Sequence, residues 1–298
     1  MGEAAGMSAQ PAAAADAAVV PGWRHRQVIY ESGHVRLEYS GPEPARGDPV
    51  LVVFPPVDYP FDPALPGWGA RSLAKRGIAH ICVCHAAEDW HQYPDFFDAM
   101  AAARAFVGPG VQIGTYGYSM GGYGAFLGAR TLGAVRAVAV SPQVSIDPAV
   151  VPFERRYDAQ WAAMDGWRHD LAAQMDGARE YMLLYDPLHG KDRRHEALFP
   201  KPAQYRRVPI HGSGHAAIQT FVDMGLQEVF FDLLRGRTGR QAFRRAYRGK
   251  RAGSFRYVRK MGTRLHQRGH PMAARFLELA QDGGFQRLLR KWRPYHDT

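Results

Sequence analysis

Apolar positions in this chain recur in short blocks, and the spacing inside each block predicts its element. Val50-Leu51-Val52-Val53-Phe54 is apolar at every position, the pattern of a strand buried on both faces, and it stops at Pro55-Pro56. Residues 78–84, 111–116, 135–140, 181–184 and 205–210 read as further strands. Residues 27–31 and 34–40, about a Ser-Gly turn, predict a hairpin at the edge of a sheet. Helices are predicted over 65–76, the Ala-rich 96–107 and 122–132, and Ile218, Phe221, Val222, Val229, Phe230 and Leu233 repeat at helical spacing. Strands alternating with helices predict an α/β layer fold, a mostly parallel central sheet flanked by helices. In such sheets ligands bind at the carboxyl ends of the strands, so chemistry is sought there.

The pattern changes near Arg235. Beyond it Phe243/Ala246/Tyr247, Phe255/Val258/Met261/Leu265, Met272/Phe276/Leu279 and Phe285/Leu288/Leu289/Trp292 predict three or four short amphipathic helices separated by glycine-containing breaks. The charge divides at the same place. The whole chain of 298 residues carries 38 Lys+Arg against 28 Asp+Glu, a net +10. Residues 235–298 hold 18 of those cations and 3 of the anions, +15, leaving 20 against 25, or −5, for the rest. The division gives an Ala-rich lead-in at 1–22 expected to be disordered, a catalytic-type region at 23–234, and a small all-helical basic appendix at 235–298. The stretch 235–240 reads as a linker. The appendix either docks on the mildly acidic region or meets an external anionic partner such as an acidic polymer.

With 46% hydrophobic and 22% charged residues, the composition excludes a disordered chain, a collagen-like chain and a disulfide scaffold. Cys82 and Cys84 alternate within a predicted strand, so buried thiols are expected rather than a bridge or a zinc site. No apolar stretch approaches the roughly 18–20 residues that span a bilayer, and residues 1–22 lack the pattern of a secretory signal, so a cytoplasmic protein is expected. There is no P-loop and no G-x-G-x-x-G after the first strand, so no cofactor is expected.

One strand end carries a chemical signature. Gly117-Tyr118-Ser119-Met120-Gly121 is a G-x-S-x-G turn between a predicted strand and a helix rich in small residues, with Gly121, Gly124, Ala125 and Gly128. A strand-to-helix turn this sharp lifts the serine hydroxyl above the sheet and needs residues without bulk two positions either side. A serine nucleophile needs a base. Of 13 histidines, His215 is favoured, in a Gly-Ser-Gly setting just before a helix, with His211 the alternative. The base needs an orienting carboxylate. Asp186, at the end of the preceding strand, is favoured over Asp192, six residues on.

The order serine, aspartate, histidine resembles the α/β-hydrolase superfamily over roughly residues 27–234, and Asp186-Pro187-Leu188 looks like the acid motif of hormone-sensitive-lipase-type esterases. The resemblance implies an oxyanion hole with the Met120 N–H as one donor and a second from the loop after an early strand. That group's His-Gly-Gly-Gly stretch is absent, and Phe54-Pro55-Pro56-Val57-Asp58-Tyr59 stands in its place. Prolines cannot donate, so Val57 takes the second position, with Asp58 or Tyr59 as alternatives. The implied activity is hydrolysis of an ester or thioester, small or carrier-bound, through an acyl-enzyme. An acyltransferase is compatible with the same machinery. A different class, a binding protein on a hydrolase scaffold, remains the alternative. The aromatic stretch Trp90–Phe97 either lines a pocket or packs a connection, and 141–175 sits where hydrolases carry a lid.

Overall fold

A computed structural model describes residues 23–59 and 61–276. The expected lead-in at 1–22 and the apolar repeats beyond Phe276 lie outside the described residues. In chain order the elements are β1 (Arg24–Glu31), β2 (Val35–Gly41), β3 (Val50–Phe54), α1 (Ala70–Ala74), β4 (His80–His85), α2 (Phe96–Val107), β5 (Ile113–Tyr118), α3 (Met120–Leu127) and β6 (Arg136–Val140). They continue with α4 (Asp158–Ala163), β7 (Tyr181–Tyr185), α5 (Gly190–Leu198), β8 (Tyr205–Pro209), α6 (Ala217–Asp223), α7 (Gln227–Arg235), α8 (Arg240–Lys250) and α9 (Phe255–Gln267).

All eight strands join one sheet in the order β1-β2-β4-β3-β5-β6-β7-β8. β2 is antiparallel to β1 and β4, and every pairing from β4 through β8 is parallel. From β3 the chain steps outward to β4, then returns to lay β5 on the other side of β3. The connections leaving β3 and β5 therefore part to opposite faces, opening a crevice between their carboxyl ends.

The two faces follow the alternation of a strand. Val50, Val52 and Phe54 join Phe96, Met100, Tyr123 and Phe126 of α2 and α3 on one side. Leu51 and Val53 join Leu73 of α1, Phe221 of α6, Phe230 of α7 and Phe243 of α8 on the other. Cys82 and Cys84 are free and buried on that second side, and burial pushes the Cys84 thiol up to about 12.

Three helices differ from expectation. The helix expected over 65–76 shrinks to α1, because Pro66, Gly67 and a left-handed Gly69 (φ 79°) precede it. The helical repeat ending at Leu233 is two helices, divided at Gly225 (φ 60°). α5 was not expected at all: its inward residues are Asp192, His195 and Glu196, all buried and polar, so apolar spacing gives no sign of it.

The basic helices are docked. Phe243 packs at ring-centroid distances of 5.3 Å from Phe221 and 6.0 Å from Phe230, and the Tyr247 hydroxyl donates to the His211 carbonyl at 2.9 Å. The expected linker is a tight turn: Gly236 (φ 80°) closes α7, and Arg237 Nε donates to Asp48 at 3.1 Å. No helix among the described residues is long and apolar enough to cross a membrane.

Candidate active site

Ser119 sits between the last residue of β5 and the first of α3, with φ 53° and ψ −120°. For a residue with a side chain this conformation costs on the order of 1–3 kcal/mol, and the surrounding backbone must hold it. Glycine makes that possible. A Cβ at Gly117 would lie 1.8 Å from the Gly121 carbonyl oxygen, and one at Gly121 would lie 2.1 Å from the Phe54 carbonyl oxygen. The second contact presses the start of α3 against the end of β3, bringing Met120 beside the Pro55–Pro56 loop. Met120 opens its helix, where an N–H has no acceptor within the helix. The Val57 N–H has no hydrogen-bond partner among the described residues.

His215 reaches this serine. Its Nε2 lies 3.3 Å from Ser119 Oγ, and its Nδ1 lies 2.9 Å from Asp192 Oδ1. A carboxylate only accepts, so Nδ1 carries the proton and the Nε2 lone pair faces the serine. His211, the alternative base, points elsewhere, lining a groove against α9.

The expectation that Asp186 orients the imidazole is corrected. Asp186 is buried, but its oxygens accept from the backbone N–H groups of Gly212 (3.0 Å), Gly214 (2.8 Å) and Leu188 (2.9 Å). It ties the end of β7 to the histidine loop, while the imidazole itself meets Asp192 from the first turn of α5. The reason is reach: a carboxylate at the strand end lies directly beneath the loop backbone, and one helical turn further carries Asp192 up to the ring. Burial alone raises the Asp192 carboxyl. The hydrogen bonds from His189 and His215 together outweigh it, and its pKa falls well below the ordinary carboxylate range.

Sequence reasoning did not single out two further side chains near the serine. Gln143, fully buried after β6, places Nε2 3.2 Å and Oε1 3.3 Å from Ser119 Oγ. Its position past a strand's carboxyl end was the available signal. His189 precedes α5, its Nδ1 lying 3.0 Å from Asp192 Oδ1 and 3.4 Å from the Asp192 backbone nitrogen. His189, Asp192 and His215 form the one group among the described residues whose possible metal-ligating atoms cluster, within 4.8 Å.

The aromatic stretch after β4 mostly packs. Trp90, His91 and Phe96 are fully buried, and Gln92 Oε1 accepts from the backbone N–H groups of Arg168 and His169 at 2.8 and 2.7 Å, holding the 141–175 insertion in place. From that insertion the Tyr157 ring meets that of Trp90 at 4.7 Å. Arg156 is not free for a substrate, since it pairs with the buried Glu154 at 2.6 Å.

The sheet order, the antiparallel β2, and a strained serine between the fifth strand and its helix settle the architecture. The chain has the α/β-hydrolase fold. No family model and no curated protein matches it. Among solved structures it is similar to the capsule O-acetyltransferase of Neisseria meningitidis serogroup A, with TM-score 0.47 and 11% identity over 69% of this chain and 93% of that one. It is similar also to Est1E from Butyrivibrio proteoclasticus, with TM-score 0.45 and 13% identity over 74% and 97%. A third is the 2,6-dihydroxy-pseudo-oxynicotine hydrolase, with TM-score 0.48 and 13% identity over 71% and 68%. Likeness this distant carries no argument about activity or ligand. The function must be read from this chain's own residues.

Proposed function

We propose that the protein is a serine hydrolase or acyltransferase acting on an ester or thioester, with Ser119 as nucleophile, His215 as base and Asp192 as the orienting acid. The observation that supports it is the continuous chain of hydrogen bonds from Asp192 through His215 to Ser119 at a strained elbow. A structural serine has no need of a disfavoured backbone conformation or of an imidazole held in one tautomer by a buried carboxylate.

In this reading His215 Nε2 takes the Ser119 proton as Oγ bonds to the acyl carbon, and the carbonyl π pair moves onto oxygen. The oxyanion rests against the Met120 N–H and the Val57 N–H, donors that cost no reorganisation at the moment of reaction. Asp192 stabilises the imidazolium. Collapse breaks the bond to the alcohol or thiol, which leaves with the proton from Nε2. Water or another acceptor then attacks the acyl-enzyme, giving its proton to His215, and Ser119 recovers its own.

Incubation with a fluorophosphonate probe tests the nucleophile. Wild-type protein is expected to label and Ser119→Ala protein not to; equal labelling of both, or none of the wild type, overturns the reading. A panel of acyl chain lengths offered with and without alcohol or thiol acceptors separates hydrolysis from transfer.

A further inference from the structure

The docked basic helices build a second concave surface beside these loops. A groove of about 440 Å³ is walled by Leu188 from the acid loop, His211 from the histidine loop, and Arg251, Tyr257, Arg264 and Arg268 from the C-terminal region. Its floor is apolar and its rim cationic. From Leu233 to Leu277 the chain has no acidic residue. Among the described residues, Arg251 and Arg268 have no carboxylate partner: Arg251 lies over the Tyr257 ring at 5.5 Å, and the Arg268 side chain makes no hydrogen bond. Arg264 donates to the Leu188 carbonyl at 3.3 Å, so one of its nitrogens already ties α9 to the acid loop. The Asp186 carboxylate beneath the loop is spent on backbone N–H groups.

We infer that this groove is a binding site for a phosphate-bearing molecule, whose phosphate meets Arg251, Arg264 and Arg268 and whose body lies on Leu188 and Tyr257. Guanidinium forks match phosphate oxygens in pairs, and three of them around one apolar floor suit a compact polyanionic group with an organic body attached. An extended acidic polymer would instead use the outward arginines of α8, such as Arg244, Arg245 and Arg248, which lie outside the groove.

The groove also borders the proposed catalytic loops. Leu188 adjoins His189, whose ring lies 5.8 Å from that of His215, and Lys260 of α9 donates to the Ser213 carbonyl at 2.9 Å. On the reading under Proposed function, the groove seats the phosphate of the substrate itself, selecting a phosphorylated ester or thioester over a neutral one.

Isothermal titration of the full chain with inorganic pyrophosphate tests the site. The wild type is expected to bind one equivalent, and Arg251→Gln and Arg268→Gln to weaken binding about tenfold each, the loss of one charge-assisted hydrogen bond. A triple variant, Arg244→Gln/Arg245→Gln/Arg248→Gln, is expected to bind as the wild type does. No binding, or equal weakening by the triple variant, overturns the site in favour of a diffuse basic surface. Circular dichroism of each variant separates lost binding from lost folding. The Ser119→Ala protein is expected to bind pyrophosphate unchanged, so the site stands or falls apart from the hydrolase reading. For the substrate role, pyrophosphate is expected to raise KM for a phosphorylated ester and leave KM for its neutral analogue untouched. Lack of competition with the phosphorylated ester overturns that role.

Discussion

The serine elbow and the acid loop lie on one crevice, yet they are held in place by opposite means. At the elbow the constraint is steric: Gly117 and Gly121 leave room for backbone to meet backbone, and no polar side chain is needed. At the acid loop it is polar: two buried aspartates six residues apart share the work, one holding the loop and the other holding the ring. A steric constraint leaves a mark at fixed sequence positions, because only glycine satisfies it. A polar one does not, because either carboxylate has the right chemistry and distance alone assigns the roles.

The comparison breaks most visibly if the two aspartates are interchangeable. Asp192→Asn is expected to lower kcat by about 10⁴-fold, a loss far beyond what its accompanying fall in melting temperature accounts for, since the amide favours the wrong imidazole tautomer. Steady-state kinetics beside a thermal melt measures both. Asp186→Asn is expected to act the other way, costing about 1–3 kcal/mol of stability as backbone N–H groups lose a charged acceptor, with a smaller loss of kcat. If Asp186→Asn proves the more damaging to kcat, the assignment of roles is reversed.

At the elbow, Gly121→Ala is expected to destabilise by about 3 kcal/mol or more, because its Cβ would meet the backbone of β3, which cannot give way. Urea unfolding reads this directly, and a near-neutral result would mean that the turn is not pinned sterically.

The depressed Asp192 pKa sets a pH dependence. A carboxyl whose folded pKa lies below its unfolded value contributes stability that is complete above the unfolded value, about 3.9, and lost as pH falls from there through the folded value. Asp192→Asn is therefore expected to flatten the fall in stability below about pH 4, measured by denaturant unfolding across that range. The smallest effect concerns the docked helices. Lys260→Gln removes the charged donor to the Ser213 carbonyl and is expected to lower kcat by about two- to fivefold through a looser histidine loop. No change in kcat would leave α9 without a part in holding that loop.

These contrasts explain which features were legible beforehand. β3 was evident as an unbroken apolar run, and Ser119 was evident from its glycines. His215 followed from a loop of small residues before a helix. α5 was hidden because its buried face is Asp192, His195 and Glu196, held by partners distant in sequence such as Glu154, whose carboxylate lies 2.9 Å from His195 Nε2. Without α5 in view, the aspartate at the strand end was the natural choice. Gln143 was missed for a related cause: a lone amide has no periodicity and declares itself only by what it touches.

The basic region teaches the same lesson in charge. Its +15 was plain in the composition, as were its helical repeats. That Phe243 and Tyr247 complete the core of the sheet's second face, and that Arg251, Arg264 and Arg268 converge on one groove, depends on how α8 and α9 turn back.

The sequence by itself determined the α/β order of elements, the strained serine turn and the separation of charge, because apolar period, glycine sterics and net charge are local properties of the chain. Only the tertiary structure decided which aspartate meets His215 and where the arginines gather. Those depend on distances between residues that are remote along the chain, and hydrogen bonds and phosphate clamps are won or lost over an ångström.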